Sequence, residues 1–566
     1  MGCAISGIPD TDDTLCKRLK FLADNFPDRE LFIFYDRGAR DVYTSKELFQ
    51  LGGKFAALLR QKGFQRHDMI VNVLPNSPER LITDVGIILA GCVAMNGQLV
   101  RADGADLFES AKKARCRAVV ANLQDPGPSS NLFLPYSGEK DGSSKRFLDL
   151  KIDSTPELTS AINVFRTGSA KTLLEELRDS ELDPLFEPCD PDDMVKVFTT
   201  SGSTGFSKMV PWTHRSLFNL WQAYVDFLGT YGPVREMGKG GYYNDRALGW
   251  TLGFPYGTLM YGLKRVLLDL WFVDAQVRSG AAMWNIISKE QCRSSSIMPI
   301  DMYNILEHVQ ETGDDSFRMD MCMISGQPLR KKLFLETLRI SNTVSVVYGC
   351  TEVGAISGSI LSEEQLQSLQ DFYCGTVPPY LDLQVLDKDG TPCAPGEMGT
   401  LWVKGLTVFP GYLNQLEEKD PATIGSLHDD GWFDTNDNGY YDDKKNLYVI
   451  GRKNDIIMYG AFVVYPGWLE QRIVTHPKVR EACVVPVPHP VLHHDICACV
   501  LTNPGSDLSE EELTKFCDQM FLDKSSEEST PRPKYFLIMD KYPTTSTGKT
   551  DRKELKRVAA EKFGIQ

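Results

Sequence analysis

The chain has no run of about 18 consecutive apolar residues, which excludes a helix that spans a bilayer. Its longest apolar stretch, Val85 to Met95, is too short and follows directly on Asp84. Positive charge is also scarce. The formal net charge is −15, and no basic tail or stripe offsets it, which argues against a nonspecific nucleic-acid binder. If the substrate carries several phosphates, the positive charge that meets them must be local. Metal-type cysteine spacing is missing as well: the 14 cysteines are scattered, and Cys497-x-Cys499 is too close for a zinc knuckle. They read as reduced core thiols of a cytosolic protein, not as a disulfide framework. No internal repeat with a period of about 20 to 50 residues is present. The N-terminus lacks the charged and apolar regions of a secretory signal, and the C-terminal Phe563-Gly564-Ile565-Gln566 is not a peroxisomal Ser-Lys-Leu address.

What is present fits a globular protein of 566 residues, with 42% apolar and 24% charged residues, too long for one core. Met1-Gly2-Cys3-Ala4-Ile5-Ser6 matches the N-myristoylation pattern, and Cys3 could take a second acyl chain; the alternative is a chance match in a short pattern. Strand-like and helix-like segments alternate. Glu47 to Lys62 carries a helical stripe of Leu48, Leu51, Phe55, Leu58 and Leu59, and Met69 to Leu74 has a buried-strand pattern. Asn122 to Arg146 is rich in Ser, Gly, Pro and Asp and reads as a surface excursion. Arg215 to Leu228 and Ala275 to Lys289 read as helices; Arg265 to Leu270 and Val344 to Val347 read as strands. Such alternation predicts an α/β protein with parallel sheets covered by helices. Pro378 to Lys404 predicts a β-rich subdomain, and the segment beyond Arg452 has a βα pattern of its own.

One loop stands out: Thr199-Thr200-Ser201-Gly202-Ser203-Thr204-Gly205-Phe206-Ser207-Lys208. It leaves a short strand, Val195 to Phe198, and strand ends are where open α/β sheets place ligands. Gly202 and Gly205 let backbone N–H groups approach an anion, the hydroxyls of Thr200, Ser201, Ser203 and Thr204 add donors, and Lys208 supplies a mobile charge. The order is not that of a P-loop NTPase. Alone, such a loop is more often a flexible connection. Four further segments follow. Tyr348-Gly349-Cys350-Thr351-Glu352 offers a ring, a hydroxyl and a carboxylate at a strand end, suited to a base, an α-phosphate and a hard cation. Asp437 and Arg452 stand fifteen residues apart, a pair suited to ribose hydroxyls or simply to solvent. Thr545-Ser546-Thr547-Gly548-Lys549 places a glycine-flexed lysine near the C-terminus.

In this order the segments resemble the adenylate-forming superfamily of acyl-CoA synthetases, luciferases and nonribosomal-peptide adenylation domains, from about Tyr43 to Leu555. Leu74-Pro75-Asn76-Ser77, Ser325-Gly326-Gln327-Pro328-Leu329, Pro395-Gly396-Glu397-Met398-Gly399 and Pro410-Gly411-Tyr412 extend the likeness. The resemblance implies a large N-terminal adenylation domain, 1–451, that carries the β-rich subdomain. It also implies a small mobile α+β domain, 452–566, hinged at Asn454. It implies that the Thr200–Lys208 loop holds the β- and γ-phosphates of ATP and that Tyr348 stacks on adenine beside Gly349. Thr351 would meet the α-phosphate, Glu352 would hold Mg²⁺, and Asp437 with Arg452 would bind the ribose. Lys549 matches the catalytic lysine that bridges carboxylate and α-phosphate. Coenzyme A would then take the acyl group after the C-terminal domain swings.

The pattern has departures. Ser207-Lys208-Met209 replaces the usual Pro-Lys-Gly, which implies altered loop stiffness and puts ATP affinity in doubt; Asn436 stands where Gly is common, and Ala461 follows Gly460 where a second Gly is frequent. Trp250, in the acyl-pocket segment Ala247 to Phe254, and Gly326 are candidate walls for the acid, with ordinary core the alternative for Trp250. No Phe-Asp-x-Ser pattern for an amine is present and no carrier domain follows Leu555, which disfavours a peptide-synthesis module. The expectation is ATP-dependent acyl-CoA synthesis from a fatty or aryl acid. Luciferase-like chemistry or a silent ATP- or acyl-binding protein are the alternatives.

Overall fold

A computed structural model describes residues 13–564 apart from 98, 100–102, 126, 140–144, 201–206, 228–239, 272–277, 315, 325–330, 371, 414–426, 429, 460–461, 490–492, 522–530 and 546–548. Three sheets organise them.

The helix Ser45–Gln61 shows how local chemistry builds the N-terminal part. Thr44 caps it, its hydroxyl accepting from the Glu47 N–H, and the predicted stripe of Leu48, Leu51, Phe55 and Leu59 is buried. It packs on the helix Pro78–Leu89 through two glycines. A Cβ on Gly52 would come within 2.5 Å of Val85, and one on Gly86 within 2.6 Å of Phe55. Behind this pair lies a seven-stranded sheet. Its five inner strands, Ser160–Asn163, Ala118–Ala121, Met69–Asn72, Val93–Asn96 and Met194–Thr200, are parallel. Phe147–Asp149 and Lys208–Thr213 close its edges antiparallel.

The larger sheet has thirteen strands. Six consecutive neighbours are parallel: Ser341–Cys350, Met319–Ile324, Cys292–Ile297, Gly241–Tyr243, Arg265–Leu268 and Glu30–Asp36. The β-rich segment beyond Pro378 continues this sheet rather than forming a sheet of its own. Leu381–Leu386, Gly399–Gly405, Phe433–Tyr441 and Asn446–Arg452 join it antiparallel through Tyr373–Thr376. A third sheet belongs to the C-terminal part: Ile457–Tyr459, Phe462–Val464, Val479–His489, His493–Thr502 and Tyr535–Met539. Helices Pro466–Ile473, Glu510–Phe521 and Arg552–Lys562 accompany it, and it has its own apolar clusters.

One segment departs from its reading. The stretch 122–146 is not wholly a surface excursion, because the helix Pro128–Phe133 buries Leu132 and Phe133. The Phe133 ring meets Phe108 edge-on at 5.9 Å, so two apolar residues draw a polar segment into the core. The strand expected at Val344 to Val347 runs longer, Ser341–Cys350. The helix expected from Ala275 is described from Gly280, capped by Ser279. All 13 described cysteines are free thiols, twelve of them buried.

Candidate active site

Two strand ends carry the candidate residues. The first belongs to Met194–Thr200, which turns back as Lys208–Thr213 with Thr200 paired to Lys208. Lys208 therefore starts the return strand, and its Nζ lies 4.8 Å from the centre of the Tyr412 ring. Ser201, Gly202, Ser203, Thr204 and Gly205 fall outside the described residues. The departures beside them have physical roles. The Ser207 N–H and hydroxyl both donate to the Asp106 carboxylate, each at 2.7 Å, whereas a proline there would have no N–H to give. Met209 is fully buried and packs with the core of the seven-stranded sheet. Ser207 and Met209 are thus held by a carboxylate clamp and a core anchor.

The second end belongs to Ser341–Cys350. A bulge falls between Tyr348 and Gly349, and a Cβ on Gly349 would lie 1.9 Å from the Gly354 carbonyl oxygen, so only glycine fits. The Tyr348 hydroxyl donates to Asp437 Oδ2 at 2.6 Å. Asp437 and Arg452 face each other across adjacent antiparallel strands, and Arg452 Nε lies 3.1 Å from Asp437 Oδ1. A second guanidinium nitrogen of Arg452 donates to the Thr435 carbonyl at 3.1 Å. Burial raises the Asp437 carboxyl above its ordinary range, against the pull of Arg452, Tyr348 and Lys549. Asn436 sits in the left-handed region with φ 58°, where Gly is usual and Asn is the best-tolerated substitute.

Thr351 is half-buried in the turn after the strand, and Glu352 is buried. Glu352 Oε1 accepts from the Tyr412 hydroxyl at 2.8 Å, and its carbonyl accepts from the Phe409 N–H at 2.8 Å. Burial and Glu352 push the Tyr412 phenol up, so it remains a donor. An anionic carboxylate with one oxygen already oriented suits a hard divalent cation. Tyr412 carried no role in the sequence reading; its Pro410-Gly411-Tyr412 context was visible, but its contact with Glu352 is tertiary.

Lys549 arrives from the far end of the chain. On either side of its loop Thr544 pairs with Thr550, the Thr545 N–H donates to the Lys549 carbonyl at 2.7 Å, and the Lys549 N–H donates to Thr545 Oγ1 at 3.2 Å. Its side chain feels the charges of Arg452, Arg246 and Asp437 and the thiol of Cys350. Desolvation, then Arg452 and Arg246, lower its ammonium pKa. Arg246, buried and bonded to Ser296 Oγ and the Ile297 carbonyl, was not anticipated as part of this field. The lowered pKa of Lys549 and the raised one of Asp437 mark this cluster as a functional candidate on electrostatic grounds.

A scan of family models finds the AMP-binding enzyme family over residues 20–413 and the AMP-binding enzyme C-terminal domain over 469–549. The chain belongs to the AMP-binding enzyme family. Among curated relatives, 4-coumarate–CoA ligase 3 of Oryza sativa subsp. japonica is 26% identical, covering 92% of this chain and 88% of that protein. The human mitochondrial medium-chain acyl-CoA ligase ACSF2 is 25% identical over 96% of this chain and 87% of its own. Among solved structures, ATP-bound MatB from Rhodopseudomonas palustris superposes with a TM-score of 0.75 at 21% identity, covering 97% and 99% of the two chains. The MenE O-succinylbenzoate–CoA synthetase of Bacillus subtilis, solved with ATP and magnesium, gives 0.72 at 21%, over 96% and 100%. This AMP-binding enzyme thus shares the fold of adenylate-forming proteins across its length.

Trp250 is half-buried in a tight turn whose bonds are local: its N–H donates to the Ala247 carbonyl, and its own carbonyl accepts from Gly253 and Phe254. Asn454 is exposed in the short 3₁₀ turn Lys453–Asp455 and is not left-handed. Gly326, Ala461, Gly2 and Cys3 lie outside the described residues. Among those described, no helix is long and apolar enough to cross a membrane.

Proposed function

We propose that the protein couples ATP cleavage to activation of an apolar carboxylic acid, aryl or fatty, and passes the acyl group to the thiol of coenzyme A. The observation that carries this reading is the convergence of Lys549, from the C-terminal part, on the Tyr348–Asp437–Arg452 cluster of the large sheet. Here Tyr348 is the adenine platform, Asp437 with Arg452 the ribose anchor, and Thr351 the α-phosphate contact. The 200–208 loop with Lys208 takes the β- and γ-phosphates. The acid carboxylate attacks the α-phosphorus in line; the bond to the bridging oxygen breaks and pyrophosphate leaves. Lys549 presents positive charge where negative charge builds on the phosphoryl oxygens, already placed and partly desolvated. Glu352, oriented by Tyr412, would hold a magnesium ion that neutralises phosphate charge when bound.

The acyl adenylate is a mixed anhydride that a thiol can open. For that step the part from 452 onward turns about Asn454 and withdraws Lys549, with residues 1–451 as the static body. The relatives support the acid class: one is a 4-coumarate–CoA ligase, another a medium-chain acyl-CoA ligase.

The test is pyrophosphate release with ATP and a panel of aryl and fatty acids, followed by thioester detection with coenzyme A. Turnover of at least one apolar acid is expected. ATP binding without turnover of any acid would favour the silent-protein reading instead.

A further inference from the structure

A second group of reactive side chains is buried away from the roles assigned above. Cys16 lies in the first turn of the helix Leu15–Asn25, fully buried. Cys189 lies in the extended segment before the strand Met194–Thr200, buried but flanked by exposed Pro188 and Asp190. His214 begins the helix after the strand Lys208–Thr213. The reactive atoms of the three lie within 4.8 Å of one another, and the two sulfurs are 3.4 Å apart.

The hydrogen bonds give each member a part. The Leu15 N–H donates to His214 Nδ1 at 3.1 Å, so Nδ1 is the accepting nitrogen and Nε2 the one that can donate. That leaves Nε2–H to donate to Cys189. The Cys16 thiol and then His214 hold Cys189 below the usual thiol range, against burial. At Cys92, Cys322 and Cys374 burial dominates and pushes the thiol up to about 12. The His214 tautomer also counts against a metal. A metal takes the unprotonated ring nitrogen, and here that nitrogen already accepts from the backbone.

We propose that Cys16 and Cys189 are a hydroperoxide-sensitive dithiol that closes to a disulfide, with Cys189 as the attacking thiolate and Cys16 as the resolving thiol. The Cys189 thiolate attacks the outer oxygen of a hydroperoxide; the O–O bond breaks, and the alkoxide takes up the proton that Cys189 gave up. Cys16 then attacks the Cys189 sulfur, the S–O bond breaks, and hydroxide leaves with the Cys16 proton as water. Two thiols are oxidised and one hydroperoxide is reduced, giving one disulfide, one alcohol and one water. The sulfurs must close from 3.4 Å to about 2.0 Å. The bond would tie residues 173 apart and staple the N-terminal helix to the segment that enters the hairpin of the phosphate loop.

The experiment treats the full chain with stoichiometric hydrogen peroxide, alkylates free thiols and maps peptides by mass. A Cys16–Cys189 cross-link that dithiothreitol removes is expected, absent in Cys189→Ser and formed at least about tenfold more slowly in His214→Gln. Cys16→Ala, which keeps its site apolar, should trap Cys189 as a sulfenic acid that dimedone labels. The proposal is overturned if Cys92 and Cys189 oxidise at equal rates, or if both thiols stay alkylatable without a cross-link. Stoichiometric zinc released from the purified protein by a thiol reagent would overturn it too.

Discussion

Asn436 and Lys549 show how single residues bear on the site. Asn436 holds a left-handed conformation that directs Asp437 toward Tyr348 and Arg452. Asn436→Gly should fold and bind ATP much as the parent does. Asn436→Val should lose about 1–2 kcal/mol in denaturant unfolding, because a β-branched residue pays the full left-handed penalty. Equal stability of the two variants would remove the conformational role. Lys549 must be cationic to stabilise phosphoryl charge, and its surroundings lower its pKa. The folded chain therefore sheds this proton before the unfolded chain does. Its effect on stability is unfavourable at neutral pH and fades as pH rises through the folded and then the unfolded pKa. The adenylation rate should follow the opposite course, with an alkaline fall beginning below the ordinary lysine range of 10.5. Lys549→Arg should remove that fall, and Lys549→Ala should lower pyrophosphate release by at least about a hundredfold. A near-normal rate in the alanine variant would remove Lys549 from the chemistry. The Lys549 motif was readable in the sequence. Its field from Arg246 was not, since nothing near Arg246 in the chain announces that it lies near Lys549.

At the scale of elements, the return from the proposed phosphate loop rests on two supports that differ from the usual proline and glycine. Asp106, in the first turn of the helix Ala105–Lys113, receives two bonds from Ser207, and Met209 anchors the return strand in the core. Asp106→Ala should raise the KM for ATP severalfold, with a loss of only about 1 kcal/mol because the carboxylate is half-buried. Unchanged ATP kinetics in steady-state assays would show that Ser207 needs no clamp. From the sequence, Ser207 and Met209 read as weaknesses. The clamp pairs residues a hundred positions apart, and local patterning carries no record of such a partner.

On the scale of the whole molecule, the proposed cycle needs the C-terminal part to leave the position in which Lys549 meets Asp437. Asn454 is exposed and sits in a short 3₁₀ turn, a place where a change of φ disturbs no packed side chain. Asn454→Pro fixes φ near −65°, which suits such a turn and resists departure from it. Pyrophosphate release should stay within about threefold of the parent, while thioester formation falls at least about tenfold. Equal loss of both half-reactions would place the pivot elsewhere.

Sequence by itself determined the α/β class and the likeness to the adenylate-forming family, and it singled out Lys208, Tyr348, Glu352, Asp437, Arg452 and Lys549 as candidates, because glycine spacing, strand periodicity and reactive side chains are local properties. It also located most elements, although the strand ending at Cys350 and the helix inside 122–146 differ in extent. Only the tertiary structure decided that the β-rich segment extends the thirteen-stranded sheet. It alone paired Tyr412 with Glu352 and Asp106 with Ser207, and brought Cys16, Cys189 and His214 into one buried cluster. These are contacts between residues remote in the chain. They depend on which faces close-packing turns toward each other, and that is settled by burying the whole core at once.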